Sequence, residues 1–324
     1  MGLKIVAVDC GKADTKVCCY NTEDAGVKSM IIPTKLTPSS ELMAATGSED
    51  EYRVSINGQG EDTDGDWIIG SLKGQTSYSN SKKDRIHRII TLTAIALCVD
   101  NGDTVIASMG CPLTLFDDTD GKNQYFNYIL KKGRVDITIN GNNHYFYIEK
   151  DKCLVFPESF GAVFMYKKSF ESNVGVIDIG GLNVNASYFS SGKPDMDLCR
   201  TEKLGYYSII STLRKKINTY CDSSFGDEQI KAFLKQGYVT NRKETSKIIE
   251  NVLDEHFQKI EKVLIDWDLD SLNLIFIGGT SELLRKQIER RFNKKAYIPD
   301  NPNFVNSKGF LKVMLKQLGY SSPF

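Results

Sequence analysis

The chain has 324 residues, 41% of them hydrophobic, and its 41 Lys and Arg balance 41 Asp and Glu. This is the composition of a folded chain with apolar material for one large core or two. Zero net charge excludes the blanket basic surface of a dedicated nucleic-acid binder and the acidic bias of a disordered chain. No apolar run approaches the ~18 residues of a membrane span, and the first nine residues lack the layout of a signal peptide. The balance conceals an asymmetry: residues 1–165 carry 17 basic and 22 acidic groups, residues 166–324 carry 24 and 19. Eight cysteines without a C-x-x-C pair, and the isolated His87, His144 and His256, argue against a zinc site and for reduced thiols in a cytoplasmic protein.

In chain order, residues 3–9 and 15–20 read as strands joined by a polar turn, with a third short strand at 27–33. Residues 37–66 hold eight acids against one base, Arg53, and read as an exposed acidic insertion around a short strand at 52–56. Apolar periodicity predicts a helix over 82–100, a buried strand over 104–109 and a helix over 123–132. Strands at 134–139 and 144–149 follow, joined by Asn140-Gly141-Asn142-Asn143. A strand ends at Pro157, and 158–167 reads as helix. The second half predicts helices at 205–219, 226–236 and 243–266, a strand at 272–277, a helix over 281–293 with a basic outer face (Arg285, Lys286, Arg290, Arg291), and a last helix over 307–318.

The opening pattern returns halfway. Residues 5–20, IVAVDCGKADTKVCCY, align without a gap on residues 174–189, VGVIDIGGLNVNASYF, with Asp9 on Asp178 and Gly11 on Gly180. A repeat at half the chain length points to two homologous domains; D-x-G turns are common enough that chance similarity of two hairpins is the competing explanation.

Three places carry candidate chemistry. A carboxylate at a strand end followed by glycine suits a hydrated Mg²⁺ beside a phosphate, since a Cβ would block close approach of the backbone. Asp9-Cys10-Gly11 and Asp178-Ile179-Gly180-Gly181 both fit; Lys16 projects from the second strand of the first hairpin, and Asn183 and Asn185 fill the matching region of the second. Ile277-Gly278-Gly279-Thr280 runs from a buried strand into a helix start, where anions are favoured; a tight strand-to-helix turn is the plain alternative. Glu158, after Phe156-Pro157, stands where a carboxylate gains from the helix dipole and, in a cleft, would orient a water. Neither G-x-G-x-x-G nor G-x-x-x-x-G-K-[ST] occurs, which disfavours Rossmann dehydrogenases and P-loop NTPases.

In this order the motifs resemble those of the actin-like ATPase superfamily shared by actin, sugar kinases and chaperone ATPase domains. The first phosphate motif corresponds to Asp9-Cys10-Gly11 with Lys16, the first connecting segment to residues 157–162, the second phosphate motif to Asp178-Ile179-Gly180-Gly181, the adenosine motif to Gly278-Gly279-Thr280, and the second connecting segment to residues 306–310. Cys111-Pro112-Leu113-Thr114, Phe156-Pro157-Glu158-Ser159, Ile177-Asp178-Ile179-Gly180-Gly181 and Lys203-Leu204-Gly205 are most similar to ParM-type plasmid segregation actins. Lys12, where actin-type loops usually carry a hydroxyl, and Leu182-Asn183-Val184-Asn185 depart from the family pattern.

The resemblance implies an α/β fold of two ribonuclease-H-like domains flanking a nucleotide cleft: residues 1–168 with 303–324, and residues 169–302. It implies ATP or ADP as ligand, with GTP left open, and Mg²⁺ held through water by Asp9 and Asp178. Asp178, Glu158 and Asp9 become the catalytic groups. Gly11, Lys12, Thr15, Lys16, Gly180, Gly181 and Asn183 contact phosphates, and Gly205, Gly278, Gly279 and Thr280 line the adenosine side. The implied activity is ATP hydrolysis coupled to polar filament assembly, moving plasmid DNA through a ParR-like DNA-binding adaptor at a plasmid centromere, without direct contact to nucleic acid or membrane. The alternatives are a small-molecule kinase of the same superfamily and a bacterial cytoskeletal or division actin relative. In a filament, the acidic stretch of one subunit and the basic face of residues 285–291 on the next are candidates for a salt-sensitive contact, against the plain reading of two solvated faces.

Overall fold

The computed structural model describes residues 1–41, 51–71, 73–77, 81–166 and 172–324. The chain divides into two compact units, Met1–Lys167 with Asn303–Phe324, and Lys168–Pro302. In the first, β1 (Leu3–Cys10), β2 (Asp14–Asn21) and β3 (Val27–Pro33) form an antiparallel meander. Short β4 (Leu36–Pro38), then β5 (Tyr52–Asn57) and β6 (Gly65–Ile69), lead to α1 (Arg85–Ala96), β7 (Thr104–Cys111), α2 (Thr119–Ile129), the hairpin β8 (Gly133–Ile139) and β9 (Asn142–Ile148), β10 (Leu154–Pro157) and α3 (Phe160–Met165). The strands make one ten-stranded sheet in the order β3-β2-β1-β7-β9-β8-β5-β6-β4, with β10 also beside β7. β1, β7 and β10 run parallel. All of β1 from Lys4 onward is buried, as expected for a central strand covered on both faces.

The second unit repeats the plan. β11 (Asn173–Ile179) and β12 (Val184–Ser190) form an antiparallel hairpin, edged by β13 (Lys193–Pro194) and β14 (Arg200–Glu202). Helices α4 (Tyr206–Cys221), α5 (Asp227–Gln236) and α6 (Ser246–Val263) precede β15 (Asn273–Ile277), which lies parallel to β11; α7 (Gly279–Leu283), α8 (Arg285–Phe292) and β16 (Ala296–Tyr297) follow. Its core centres on Phe257, Phe276 and Phe292, with ring centroids 5.7–6.4 Å apart. Trp267 lies so close over Gly175 that a Cβ there would stand 2.4 Å from the indole. The chain then returns to the first unit as α9 (Val305–Gln317), which packs on β1, β2 and β7 and crosses α3. At that crossing a Cβ on Gly161 would lie 2.3 Å from Asn306 Cα, so the two helices meet backbone to backbone.

Several boundaries differ from the sequence reading, for local reasons. The helix expected from residue 82 starts at Arg85, because Lys82 has a left-handed backbone (φ 51°) and Asp84 caps the helix by accepting from His87 N at 3.0 Å. The helix expected over 123–132 is α2, displaced toward the N-terminus by its Asp118 cap and ended before Gly133 (φ 111°). The β8–β9 turn is the tight two-residue Asn140-Gly141, both with positive φ. The helix expected over 281–293 is broken at Leu284 into α7 and α8.

The acidic stretch is not a free insertion where it is described. β5 and β6 join the sheet and bury Val54, Ile56 and Trp67; Asp64 accepts from the N–H groups of Gly58, Gln59 and Gly60; Asp62 meets Tyr128 and Arg88. Glu49, Asp50 and Lys167 lie outside the described residues. The basic helix face is likewise satisfied within its own unit. Arg285 pairs with Glu282 and Glu289, and Lys286, Arg290 and Arg291 pair with Glu250, Asp254 and Glu261 along α6.

Candidate functional site

Each unit presents the loop between its first two strands at the carboxyl end of a central strand, the usual ligand position of α/β sheets. In the first, β1 delivers Asp9, buried at 8% exposure. Gly11 N–H donates to Asp14 O at 3.1 Å, and a Cβ on Gly11 would stand 2.6 Å from that oxygen, so the tight turn requires glycine. Lys16 Nζ folds back onto Asp14 O at 3.1 Å. Burial pushes the Asp9 carboxyl up, opposed by the Lys16 and Lys82 ammoniums and a hydrogen bond from Asn306 at the start of α9. Lys12 is buried in the turn, and burial, with Lys82 nearby, draws its pKa down to about 8.

Glu158 reaches the same place from the end of β10. Its N–H donates to Cys111 O at 2.9 Å, and the next residue, Ser159, takes φ 73° before α3 begins. Glu158 pairs with Lys82, whose Nζ also donates to Cys10 O at 2.7 Å. Burial opposes the charged Lys82, but Glu158 and Asp9 outweigh it and hold its pKa above the ordinary lysine value. The first unit therefore gathers Asp9, Gly11, Lys12, Lys16, Lys82, Glu158 and Asn306.

Thr15 does not belong to this cluster. It is fully buried, and its hydroxyl lies between Cys10 Sγ at 3.0 Å and Thr34 Oγ1 at 2.9 Å. Successive strand residues face opposite sides, so Thr15 points beneath the hairpin that carries Lys16. It supports the turn and offers no hydroxyl to a ligand.

The second hairpin has the same register. Asp9 pairs with Lys16 and Asp178 with Asn185, and the Gly11–Asp14 turn bond recurs as Gly180 N–H to Asn183 O at 2.9 Å. Here the surroundings are backbone. Gly205 N–H donates to Leu182 O, and the first amides of α4, Tyr206 and Tyr207, donate to Gly180 O and Gly181 O at 3.0 and 2.9 Å. A Cβ on Gly205 would stand 2.5 Å from Gly181 O. Thr280 Oγ1 donates to Gly180 O at 3.0 Å, so that side chain holds the turn. Gly278, at φ 85°, is where a Cβ would come 2.5 Å from Asp178 Oδ1, while Gly279 is exposed at the start of α7. Asn183 Oδ1 is buried and accepts no hydrogen bond among the described residues, whereas Asn185 Oδ1 accepts from Thr201 Oγ1 at 2.9 Å. Asp178, Gly180, Gly181, Asn183, Gly205, Gly278 and Thr280 thus come together within the second unit.

Residues 7–161 match the family described as actin-like proteins, N-terminal domain. An archaeal actin homolog superposes with TM-score 0.75 at 17% identity, over 97% of this chain and 99% of its own. The fold is actin-like. The same archaeal homolog in complex with ADP matches with TM-score 0.73 at 18% identity, over 96% and 99% of the two chains. A 15-stranded ParM filament from Clostridium botulinum matches with TM-score 0.73 at 17% identity, over 98% and 100%. No curated protein matches the chain by sequence.

Within the actin-like fold, sequence reasoning missed two groups. Asn306 falls in a segment whose general role was legible but whose contact with Asp9 was not. Lys82 stands in a polar stretch with no motif around it, and pairs with a residue 76 positions away. Among the described residues no group of three or more His, Cys, Asp or Glu is arranged to hold a metal ion directly, and no helix is long and apolar enough to cross a membrane.

Proposed function

We propose that this chain is an ATPase that forms filaments in response to nucleotide and segregates plasmid DNA through a DNA-binding adaptor. The observation that carries the reading is the pair of D-x-G hairpins in identical register, each with an aspartate near a strand end and the same glycine-to-carbonyl turn bond, the first of which only glycine can make. The ADP complex of the archaeal homolog supports a nucleotide ligand, and the ParM filament supports self-assembly.

The residues fit such a ligand. A turn that only glycine can make at Gly11, beside Lys12 and Lys16, and the Asn183 Oδ1 that accepts no hydrogen bond among the described residues suit a phosphate chain with a hydrated cation. Asp9, in the first unit, and Asp178, in the second, are each a carboxylate suited to the water shell of a Mg²⁺. Gly11, Lys12, Lys16, Gly180, Gly181 and Asn183 would meet phosphate oxygens, and Gly205, Gly278 and Gly279 would lie on the nucleoside side, with Thr280 bracing the turn. Bound Mg²⁺ supplies charge withdrawal from the phosphates. Lys16 and Lys12 neutralise developing charge, and Glu158 and Asp178 accept hydrogen bonds that orient the attacking water; no covalent intermediate is needed. Polar filaments need only a heterologous contact that does not close. Zero net charge favours an adaptor over direct DNA binding.

The test is right-angle light scattering with phosphate release after addition of ATP and Mg²⁺, repeated with GTP. Scattering that rises with nucleotide and falls as phosphate appears is expected. No assembly over a broad protein range, with ATP consumed only when a sugar or acid is added, overturns the filament reading in favour of a small-molecule kinase. Loss of an otherwise stable plasmid on deletion of the gene checks segregation.

A further inference from the structure

We infer that Lys82 is a positioning residue for hydrolysis, holding the Glu158 carboxylate against the phosphate-binding turn. This rests on the proposed ATPase activity and adds to it a residue that none of the recognised motifs contains. Lys82 Nζ makes two contacts: the ion pair with Glu158 and a hydrogen bond of 2.7 Å to the carbonyl of Cys10, the residue between Asp9 and Gly11. One ammonium thus ties the end of β10 to the turn after β1.

Both partners are enclosed, Lys82 at 5% exposure and Glu158 at 9%. An enclosed ion pair is a poor device for stability, because desolvation offsets the attraction and apolar side chains would fill the space as well. Its use lies in fixing geometry. The backbone is shaped for it on both sides. Lys82 takes φ 51°, and Ser159, immediately after Glu158, takes φ 73°. Left-handed backbone at non-glycine residues is uncommon and concentrates where a side chain must be aimed. Asp84 then caps α1 two residues on, anchoring the segment that presents Lys82. The other titratable groups facing the pair are Asp9 and Cys10 on β1, Lys12 in the turn, His87 on α1, Cys111 on β7 and Tyr125 on α2. Lys82 bridges Glu158 to the turn backbone.

The experiment measures kcat and KM for phosphate release from Mg-ATP, and the affinity of a fluorescent ADP analogue, in the full chain carrying Lys82→Met, Glu158→Gln or both. Lys82→Met is expected to lower kcat by ~10-fold or more with ADP affinity within ~3-fold, because the lost interaction acts in the reaction and not in ground-state binding. The double variant is expected to be no slower than the slower single one, since residues acting as a unit are not additive. Wild-type kcat in Lys82→Met overturns the inference. So does a loss confined to KM and ADP affinity, which would make Lys82 a phosphate contact, and so does a double variant slowed by the product of the singles. Where Lys82→Met leaves Glu158 unpaired and the chain unfolded, the double variant, with a neutral pair, decides against Glu158→Gln alone: equal kcat supports the inference and a further fall overturns it. A folded wild-type chain that releases no phosphate refutes the ATPase reading itself, a result distinct from any of these.

Discussion

Gly278→Ala is the sharpest steric test of the second unit. The native backbone there, φ 85° and ψ 154°, lies in a region that only glycine occupies readily, and forcing a side chain into it costs about 1–3 kcal/mol. The added methyl would also stand 2.5 Å from Asp178 Oδ1 and 2.5 Å from Ile179 O, and the latter is backbone that cannot swing aside. The two together place the loss at about 3 kcal/mol or more. The chain has two tryptophans, Trp67 in the first unit and Trp267 in the core of the second. In a Trp67→Phe background, fluorescence in a urea titration therefore reports the second unit. Gly226→Ala serves as the control: φ is −80° and no atom lies within 4 Å of the added Cβ, so the expected change is the loss of a glycine N-cap on α5, about 1 kcal/mol or less. A Gly278→Ala midpoint indistinguishable from that of Gly226→Ala refutes the close approach of Gly278 to Asp178 on which the geometry of this turn depends.

The other predictions concern individual side chains. Asp178→Ala is expected to slow phosphate release by ~10²-fold or more while ADP binding, followed by fluorescence, is largely kept. Thr15→Val removes a hydroxyl held between Cys10 and Thr34 and should cost about 1 kcal/mol in urea unfolding without changing nucleotide affinity; a large affinity loss would return Thr15 to the ligand. Burial lowers the pKa of Lys12 in the folded chain to about 8, from about 10.5 for an ordinary lysine. Between these values the unfolded chain binds the proton and the folded chain does not, so this group adds stability as pH rises through the window; below pH ~8 both states are protonated and its penalty is constant. The difference in unfolding free energy between the wild type and Lys12→Met should therefore shift in favour of the wild type from pH 8 to 10; a flat difference contradicts the buried placement of Lys12.

What was legible in the sequence was local. Each D-x-G hairpin is written in some sixteen consecutive residues, so its two strands, its turn and its repetition can be read without any long-range contact. Glu158 and Gly278 were legible for the same reason, each at the junction of a strand and a helix. Thr15 was misplaced although the signal was present: strand periodicity already puts it on the face opposite Lys16. The acidic stretch misled because charge outweighed the alternation Val54-Ser55-Ile56 that makes β5 a sheet strand, and because the hydrogen bonds of Asp64 are made within its own loop. The basic face of α8 misled for a longer-range reason. Its partners Glu250, Asp254 and Glu261 sit on one side of α6, more than 25 positions away, and only the packing of the two helices shows that the charges meet.

The repeat is most informative where its copies differ. Aligned at the same turn bond, Lys12 corresponds to Gly181, Asp14 to Asn183 and Lys16 to Asn185. The first copy keeps cations around its carboxylate and adds a third, Lys82, from a distant segment. The second copy has none in its turn and instead brings backbone into contact at Gly205 and Gly278, with the amides of α4 laid along the turn carbonyls. A second echo appears after the last strand of each unit. Phe156-Pro157-Glu158-Ser159 precedes α3, and Ile298-Pro299-Asp300-Asn301 precedes α9, with Ser159 and Asn301 both left-handed at φ 73° and 52°. Glu158 is enclosed and tied to Lys82, whereas Asp300 is exposed. Two copies of one hairpin plan are therefore surrounded differently: lysine side chains gather at the first, and backbone closes in on the second. That division is why Lys12→Met is expected to be read out in the pH dependence of stability, and Gly278→Ala in the integrity of the fold.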